Sequence, residues 1–335
     1  MARGELLRKL FASHARHDDY DFRAVALQII AEEQQRHNHA LAKELLDMLE
    51  NPTPKKHVGF TVAEALPKTK DRQALLVDVR PPSRNLADII LNEKTKQQLR
   101  RILEEYQKSE LLRLHGLRPK TKLLFCGPPG CGKTLCAEVI ASEMQLSLLY
   151  TRFDGIISSY LGETAANLRQ VFDYARSGTW VVLFDEFDAI GKNRGDVTEH
   201  GELKRVVNSF LQLLDGFEGN SFIIAATNHE KLLDKALWRR FDEILLFERP
   251  VSNDIQKMLA LKLKNFPHQN LNYARLARKL RGLSHAEVEW VCLEAVKSAI
   301  LRDQDAVTQE LLEKAIARQR DRGHVRNGDK TIPAK

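Results

Sequence analysis

Residues 123–137 read LLFCGPPGCGKTLCA, and the rest of the chain has to be read from this stretch outward. Leu123, Leu124, Phe125 and Cys126 form a short continuous apolar run, the pattern of a strand buried on both faces. Gly127, Pro128, Pro129, Gly130, Cys131, Gly132, Lys133 and Thr134 follow and satisfy the spacing G-x-x-x-x-G-K-[ST]. Leu135 to Met144 then reads as a helix, with Leu135 closing the loop segment. Strand, glycine-rich loop and helix, in that order, is the setting in which such a loop cradles phosphate. The glycines let backbone N–H groups face the oxygens, and the helix N-terminus adds a favourable partial charge. The spacing predicts that Lys133 reaches the β- and γ-phosphates of a nucleotide and that the Thr134 hydroxyl binds Mg2+.

Further apolar runs follow at intervals: SLLY, VVLF, FIIAAT and EILLF, each separated from the next by a helical pattern. Such alternation predicts an α/β fold, a mostly parallel sheet covered on both faces. After Pro250 only helical patterns remain: Asn253 to Leu263, Tyr273 to Leu280, Ser284 to Asp303 and Thr308 to Arg318. Before the sheet, Asn85 to Arg118 holds helices at Glu93 to Tyr106 and Ser109 to His115. The first fifty residues carry three short amphipathic helices, a bundle too small to stand alone. The organisation expected is therefore a bundle at 1–50, a basic linker at 51–84, a large α/β ATPase subdomain at 85–250, a helical lid at 251–318 and a basic disordered tail at 319–335.

Composition excludes several classes. The chain has 335 residues, 43% of them hydrophobic and 29% charged, as in ordinary globular proteins. No run approaches the about 18 apolar residues of a membrane span, and the N-terminus lacks a secretory pattern. Three of the four cysteines, Cys126, Cys131 and Cys136, crowd the glycine loop at a spacing that fits no zinc site. A reduced, cytoplasmic setting follows. The net charge of +7 is uneven: residues 51–125 hold 16 Lys/Arg against 8 Asp/Glu. Solvated charge explains this most simply, and contact with nucleic acid is the rival.

Three further motifs carry chemistry. Val181 to Phe184 is an apolar strand ending in Asp185 and Glu186, where ligands of open parallel sheets lie. Asp185 would hold Mg2+ and Glu186 would polarise the attacking water. Phe222 to Thr227 is another buried run, tipped by Asn228, whose amide can bond the γ-phosphate or the water. Arg239 and Arg240 stand just before the last strand, too far from the chain's own phosphates but able to serve a neighbour's.

In this order and spacing, GPPGCGKT, VVLFDEFDAI, LLDGFEGNSFIIAATN and ALWRRFDEILLF resemble the classical branch of the AAA family of ATPases, over about residues 85 to 318. The resemblance implies Walker A at Gly127 to Thr134, Walker B at Asp185 and Glu186, a sensor at Asn228 and arginine fingers at Arg239 and Arg240. It also implies adenine packing at Ile89 and Ile90 and nucleoside contact at His285 and Ala286. His285 stands where the family has glycine, and the arginine pair lacks the Pro-Gly insert of many members, as in the katanin and spastin branch. Tyr160, Leu161 and Gly162 fall where AAA remodellers carry a substrate-gripping pore loop; Gly162 beside Tyr160 favours an exposed loop.

The reading implied is an ATP- and Mg2+-dependent homo-hexamer, assembled with ATP between subunits, that threads or disassembles a protein substrate. The bundle at 1–50 would take an adaptor or partner. No protease motif is visible in the chain, so degradation would need a separate protease. The alternative is a DNA-associated AAA switch, a loader or transposition helper, supported by the basic segments.

Overall fold

The structure is a computed structural model that describes Leu6, Lys9 and residues 25–32, 66–68, 75–152, 156, 161–187, 197–228 and 238–326. The chain divides into two compact units, Met1–Phe60 and Thr61–Lys335. In the first, residues 25–32 are helical. Leu6 and Lys9, in the first helix expected there, are also helical; the third expected helix and the four histidines His14, His17, His37 and His39 lie outside the described residues.

The second unit is built on six strands: β1 (Asp78–Arg80), β2 (Lys122–Cys126), β3 (Leu148–Arg152), β4 (Val181–Asp185), β5 (Phe222–Thr227) and β6 (Glu243–Leu246). Their order across the sheet is β1-β3-β4-β5-β2-β6. Every pairing is parallel except β1 with β3. The pleat explains why the strands read as unbroken apolar runs. Leu124, Cys126, Val182, Phe184, Ile223 and Ala225 enter one core. Their neighbours Leu123, Phe125, Val181, Leu183, Phe222 and Ile224 enter the core on the other face. Alternation along a strand sends adjacent side chains to opposite faces, so a sheet covered on both sides needs apolar residues throughout.

Helices α1 (Glu93–Gln107), α2 (Ser109–Leu114), α3 (Lys133–Glu143), α4 (Leu161–Arg176) and α5 (Val197–Asp215) accompany the sheet. On one face, Phe172 of α4 is fully buried and meets Phe184, Phe210 and Phe217 at centroid distances of 5.3, 5.5 and 5.9 Å. On the other face lie α1 and α3, through Leu99, Ile102, Ala137 and Ile140. The remaining helices, α6 (Ser252–Leu263), α7 (Tyr273–Leu280), α8 (His285–Ile300) and α9 (Gln309–Arg326), form the lid around a core of their own.

One expectation is refined and one is corrected. The linker at 51–84 contributes β1, which adds an antiparallel edge to the sheet through Asp78↔Tyr150 and Arg80↔Leu148. The short apolar patch at Ala74 to Val79 reads as strand-like within that linker, and β3 recruits the end of it by main-chain pairing. The tail expected from 319 is helical as far as Arg326. Gln319 is buried and its Nε2 donates to Glu287 Oε1 at 3.2 Å, while the Arg322 guanidinium lies over the Trp290 ring at 4.4 Å. These are polar and cationic contacts that an apolar periodicity does not reveal.

Because Phe172 joins the sheet to two covering elements, Phe172→Ala should lower the unfolding free energy by about 3–5 kcal/mol, measured by urea denaturation.

Candidate nucleotide site

The glycine loop leaves β2 between β5 and β6, at the carboxyl ends of the parallel strands. Here the chain departs from β2 to strands on one side while β6 closes the other, the switch-point geometry of open α/β sheets. Gly127 has φ +149, and a Cβ there would lie 2.0 Å from the Phe247 carbonyl oxygen. No side chain fits, because β6 and β2 hold that carbonyl in place through Phe247 N–H donating to Cys126 O at 2.7 Å. At Gly130, φ is +73 and a Cβ would lie 3.0 Å from Ser284 Oγ, so this glycine lets the loop approach the lid closely.

Gly132 ends the loop and Lys133 begins α3, so the helix N-terminus points into the loop. Lys133 is buried, and its Nζ donates to Gly127 O at 2.7 Å, Pro128 O at 3.0 Å and Asn228 Oδ1 at 2.8 Å. A buried ammonium has to be surrounded by acceptors, and these three supply them. Thr134 Oγ1 donates to Asp185 Oδ2 at 2.8 Å, and Tyr150 OH approaches the same oxygen at 3.4 Å. Lys133 with Asn228, and Thr134 with Asp185, are thus two hydrogen-bonded pairs contributed by α3, β4 and the tip of β5.

Glu186, one residue beyond β4, is exposed and has φ +55, a left-handed backbone uncommon outside glycine. Its N–H donates to Asp185 Oδ1 at 2.9 Å. The turn aims consecutive carboxylates differently: Asp185 faces the loop and Glu186 faces solvent. Thr134 and Asp185 present oxygen donors only, the set that Mg2+ prefers, and they are already within hydrogen-bond distance of each other. The residues present therefore fit the ion.

A narrow cleft beside the loop brings together Ile89, Ile90, Cys131, Gly132, Leu135 and His285. Ile89 belongs to the core of the sheet and Ile90 packs on the core of the lid, so the dipeptide spans both. Ala286 N–H donates to Gly130 O at 3.0 Å and ties α8 to the glycine loop. Ser284 caps α8 in a reciprocal box with Glu287, whose carboxyl is held below its usual range by the Ser284 and Gln319 hydrogen bonds despite its partial burial. Burial pushes the Cys131 thiol up, which keeps it protonated and works against redox chemistry there.

Sequence reasoning missed Tyr150 against Asp185, and Met258, Lys262 and Glu289 in the cleft wall. Glu289 lies one helical turn from His285 and pairs with Lys262 at 2.7 Å, a spacing that could have flagged it.

Two groups are placed elsewhere. Arg239 is exposed, and Arg240 Nε donates to Asp215 Oδ2 at 2.7 Å. Both precede β6, whose Glu243 pairs with Leu123 and whose Leu246 pairs with Cys126. The arginines therefore sit at the opposite end of β6 from the glycine loop, separated by roughly 10 Å of strand at 3.3 Å per residue. Tyr160 lies outside the described residues, and Leu161 and Gly162, expected in a loop, instead open helix α4.

Sheet order, glycine loop and paired acids define an α/β P-loop nucleotide-binding protein. Residues 123–249 match the ATPase family associated with various cellular activities (AAA). An uncharacterized AAA family ATPase of Sinorhizobium fredii, y4kL, is 44% identical over 317 residues, covering 94% of this chain and 95% of that one. Proteasome-activating nucleotidases of Thermococcus onnurineus and Saccharolobus islandicus are each 33% identical, over 77% and 78% of this chain and 67% and 69% of theirs. The chain belongs to the AAA family of ATPases. Among the described residues no helix is long and apolar enough to cross a membrane.

Burial lowers the His285 pKa from its ordinary 6.5, opposed by Asp254 and the Ile90 backbone. Protons then bind the unfolded chain more readily than the folded one. The stability this represents is complete above about pH 6.5 and is lost as pH falls through the lowered folded value. Between pH 8 and pH 5.5, wild type should therefore lose more unfolding free energy than His285→Asn in parallel denaturant titrations; equal losses would contradict the assignment.

Proposed function

We propose that this protein is a ring-forming ATPase that threads or disassembles a protein substrate, with ATP bound by one subunit and completed by the next. The observation that carries the reading is the separation of Arg239 and Arg240 from the chain's own glycine loop. Guanidinium groups that act on phosphate from that position have to act on a neighbour's. The Arg240–Asp215 ion pair has both side chains about a third exposed or more, and such pairs are worth little, so a phosphate can take the guanidinium away from Asp215.

Within one subunit, Lys133 exchanges the Gly127 and Pro128 carbonyls for phosphate oxygens, and Asn228, already bonded to it, stays beside the γ-phosphate. Thr134 and Asp185 would hold Mg2+, which would neutralise charge on the phosphate oxygens. Glu186 polarises the attacking water. Because Ala286 N–H is bonded to Gly130 O, a change in the loop reaches the lid directly. Lid closure then moves Tyr160 along a central channel, where an aromatic face grips an extended chain without demanding one sequence. Residues 1–50 recruit an adaptor or partner. The 33% identity to proteins named proteasome-activating nucleotidases supports an unfolding role and a separate protease partner. Four free cysteines support a reducing, cytoplasmic location.

Arg240→Ala should keep ATP binding and lose steady-state hydrolysis by about 10³-fold or more. Full-rate turnover by a dilute monomer would sink the shared-site reading. Tyr160→Ala should keep ATPase activity and lose unfolding of a tagged fluorescent client, read as retained fluorescence; undiminished unfolding rules out threading by this residue.

A further inference from the structure

Among the described residues, three buried side-chain atoms have no hydrogen-bonding partner: Thr151 Oγ1, Trp180 Nε1 and His285 Nδ1. Of these residues, His285 alone lines the cleft beside the glycine loop. A buried polar atom without a partner costs about 1–3 kcal/mol, so one carried by a residue that lines a ligand cleft points to the ligand as the partner.

The ring's surroundings define what that partner must offer. Burial lowers the imidazole's pKa from its ordinary 6.5, so at pH 8 the ring is neutral and one nitrogen donates while the other accepts. The Ile90 backbone lies against the ring in the sense that favours a protonated nitrogen, as a carbonyl does. Nδ1 has no partner, so the N–H is assigned to Nε2 and Nδ1 keeps its lone pair. Nδ1 therefore requires a donor. The cleft walls at Ile89, Ile90, Leu135 and Met258 are apolar, which suits the faces of a purine. Asp88 and Glu289 also line the cleft, but Asp88 accepts from Asn85 N–H and Glu289 pairs with Lys262, so the unpartnered Nδ1 of His285 is the acceptor left to read the edge of such a base.

We propose that His285 is the base-specificity residue of the nucleotide site: Nδ1 accepts a hydrogen bond from the exocyclic 6-amino group of adenine. Guanine presents a carbonyl oxygen at the same position, setting lone pair against lone pair. Purine riboside has neither group and leaves Nδ1 unsatisfied. This rests on the reading that residues 127–134 hold a nucleoside triphosphate, and it names what selects the base.

The test measures equilibrium binding of ATP, purine riboside triphosphate and GTP with Mg2+ at pH 8. It uses the full chain carrying Glu186→Gln so that nucleotide is not consumed. With His285 present, ATP should bind about tenfold tighter than purine riboside triphosphate, with GTP weaker again. In His285→Ala the ATP preference over purine riboside triphosphate should fall to about onefold. In His285→Asn, whose Oδ1 replaces the Nδ1 acceptor, most of the preference should return. Thermal unfolding of each variant confirms that the comparison is between folded proteins, and the ratio of affinities cancels any shared loss. An unchanged ratio in His285→Ala overturns the proposal while leaving the nucleotide reading intact. If the Glu186→Gln protein binds none of the three triphosphates, the nucleotide reading itself is overturned, and the proposal with it.

Discussion

The structure of the site depends on one buried ammonium. Lys133 Nζ binds the carbonyls of Gly127 and Pro128 and the side chain of Asn228, and so fastens the glycine loop to itself and to the tip of β5. A charge withdrawn from water needs all its donors satisfied, and removing one acceptor is costly. The loop can therefore hold its shape around Lys133 with carbonyls, and phosphate oxygens can replace them without leaving the charge uncompensated. Asn228 is on a strand separate from the loop, so the same ammonium links the residue expected to sense the γ-phosphate with the residue expected to bind it.

A second constraint is steric. Gly127 passes so close to the Phe247 carbonyl that a methyl group has no room, and Gly130 passes close to Ser284 and Ala286. The first contact locks the loop to the last strand, and the second sets it against the lid. The Arg249 guanidinium adds a further tie, donating to Gly282 O at 2.5 Å across the junction that leads into α8. The cleft, the glycine loop and the lid helix are consequently tied together. Movement of the loop has a short covalent and hydrogen-bonded path to the lid, through Gly130, Ala286 and α8.

Much of this was legible in the residue pattern. The five apolar runs became β2 to β6, and the seven helices read from Glu93 onward, outside the segment between β3 and β5, appear within a few residues of their expected limits except α9. Periodicity works there because each element buries an apolar face. At β1 it gave only a short strand-like patch, whose place is fixed by pairing with β3. It failed beyond Arg318, where Gln319 and Arg322 hold the helix by an amide hydrogen bond and a cation over a ring.

By itself the sequence determined the chemistry of the site: a lysine and a threonine after a glycine loop, two acids after a buried strand, an asparagine at another strand tip. Those residues have to sit at strand ends because nothing apolar could hold them elsewhere. Tertiary structure decided which of them touch. It set Asp185 against Thr134 and turned Glu186 away through a left-handed backbone. It tied Arg240 to Asp215 at the other end of β6, and left His285, which lines the cleft beside the glycine loop, with a buried Nδ1 that has no partner. Distances of a few ångströms between residues fifty or a hundred positions apart arise from strand order and lid packing, which no local pattern encodes.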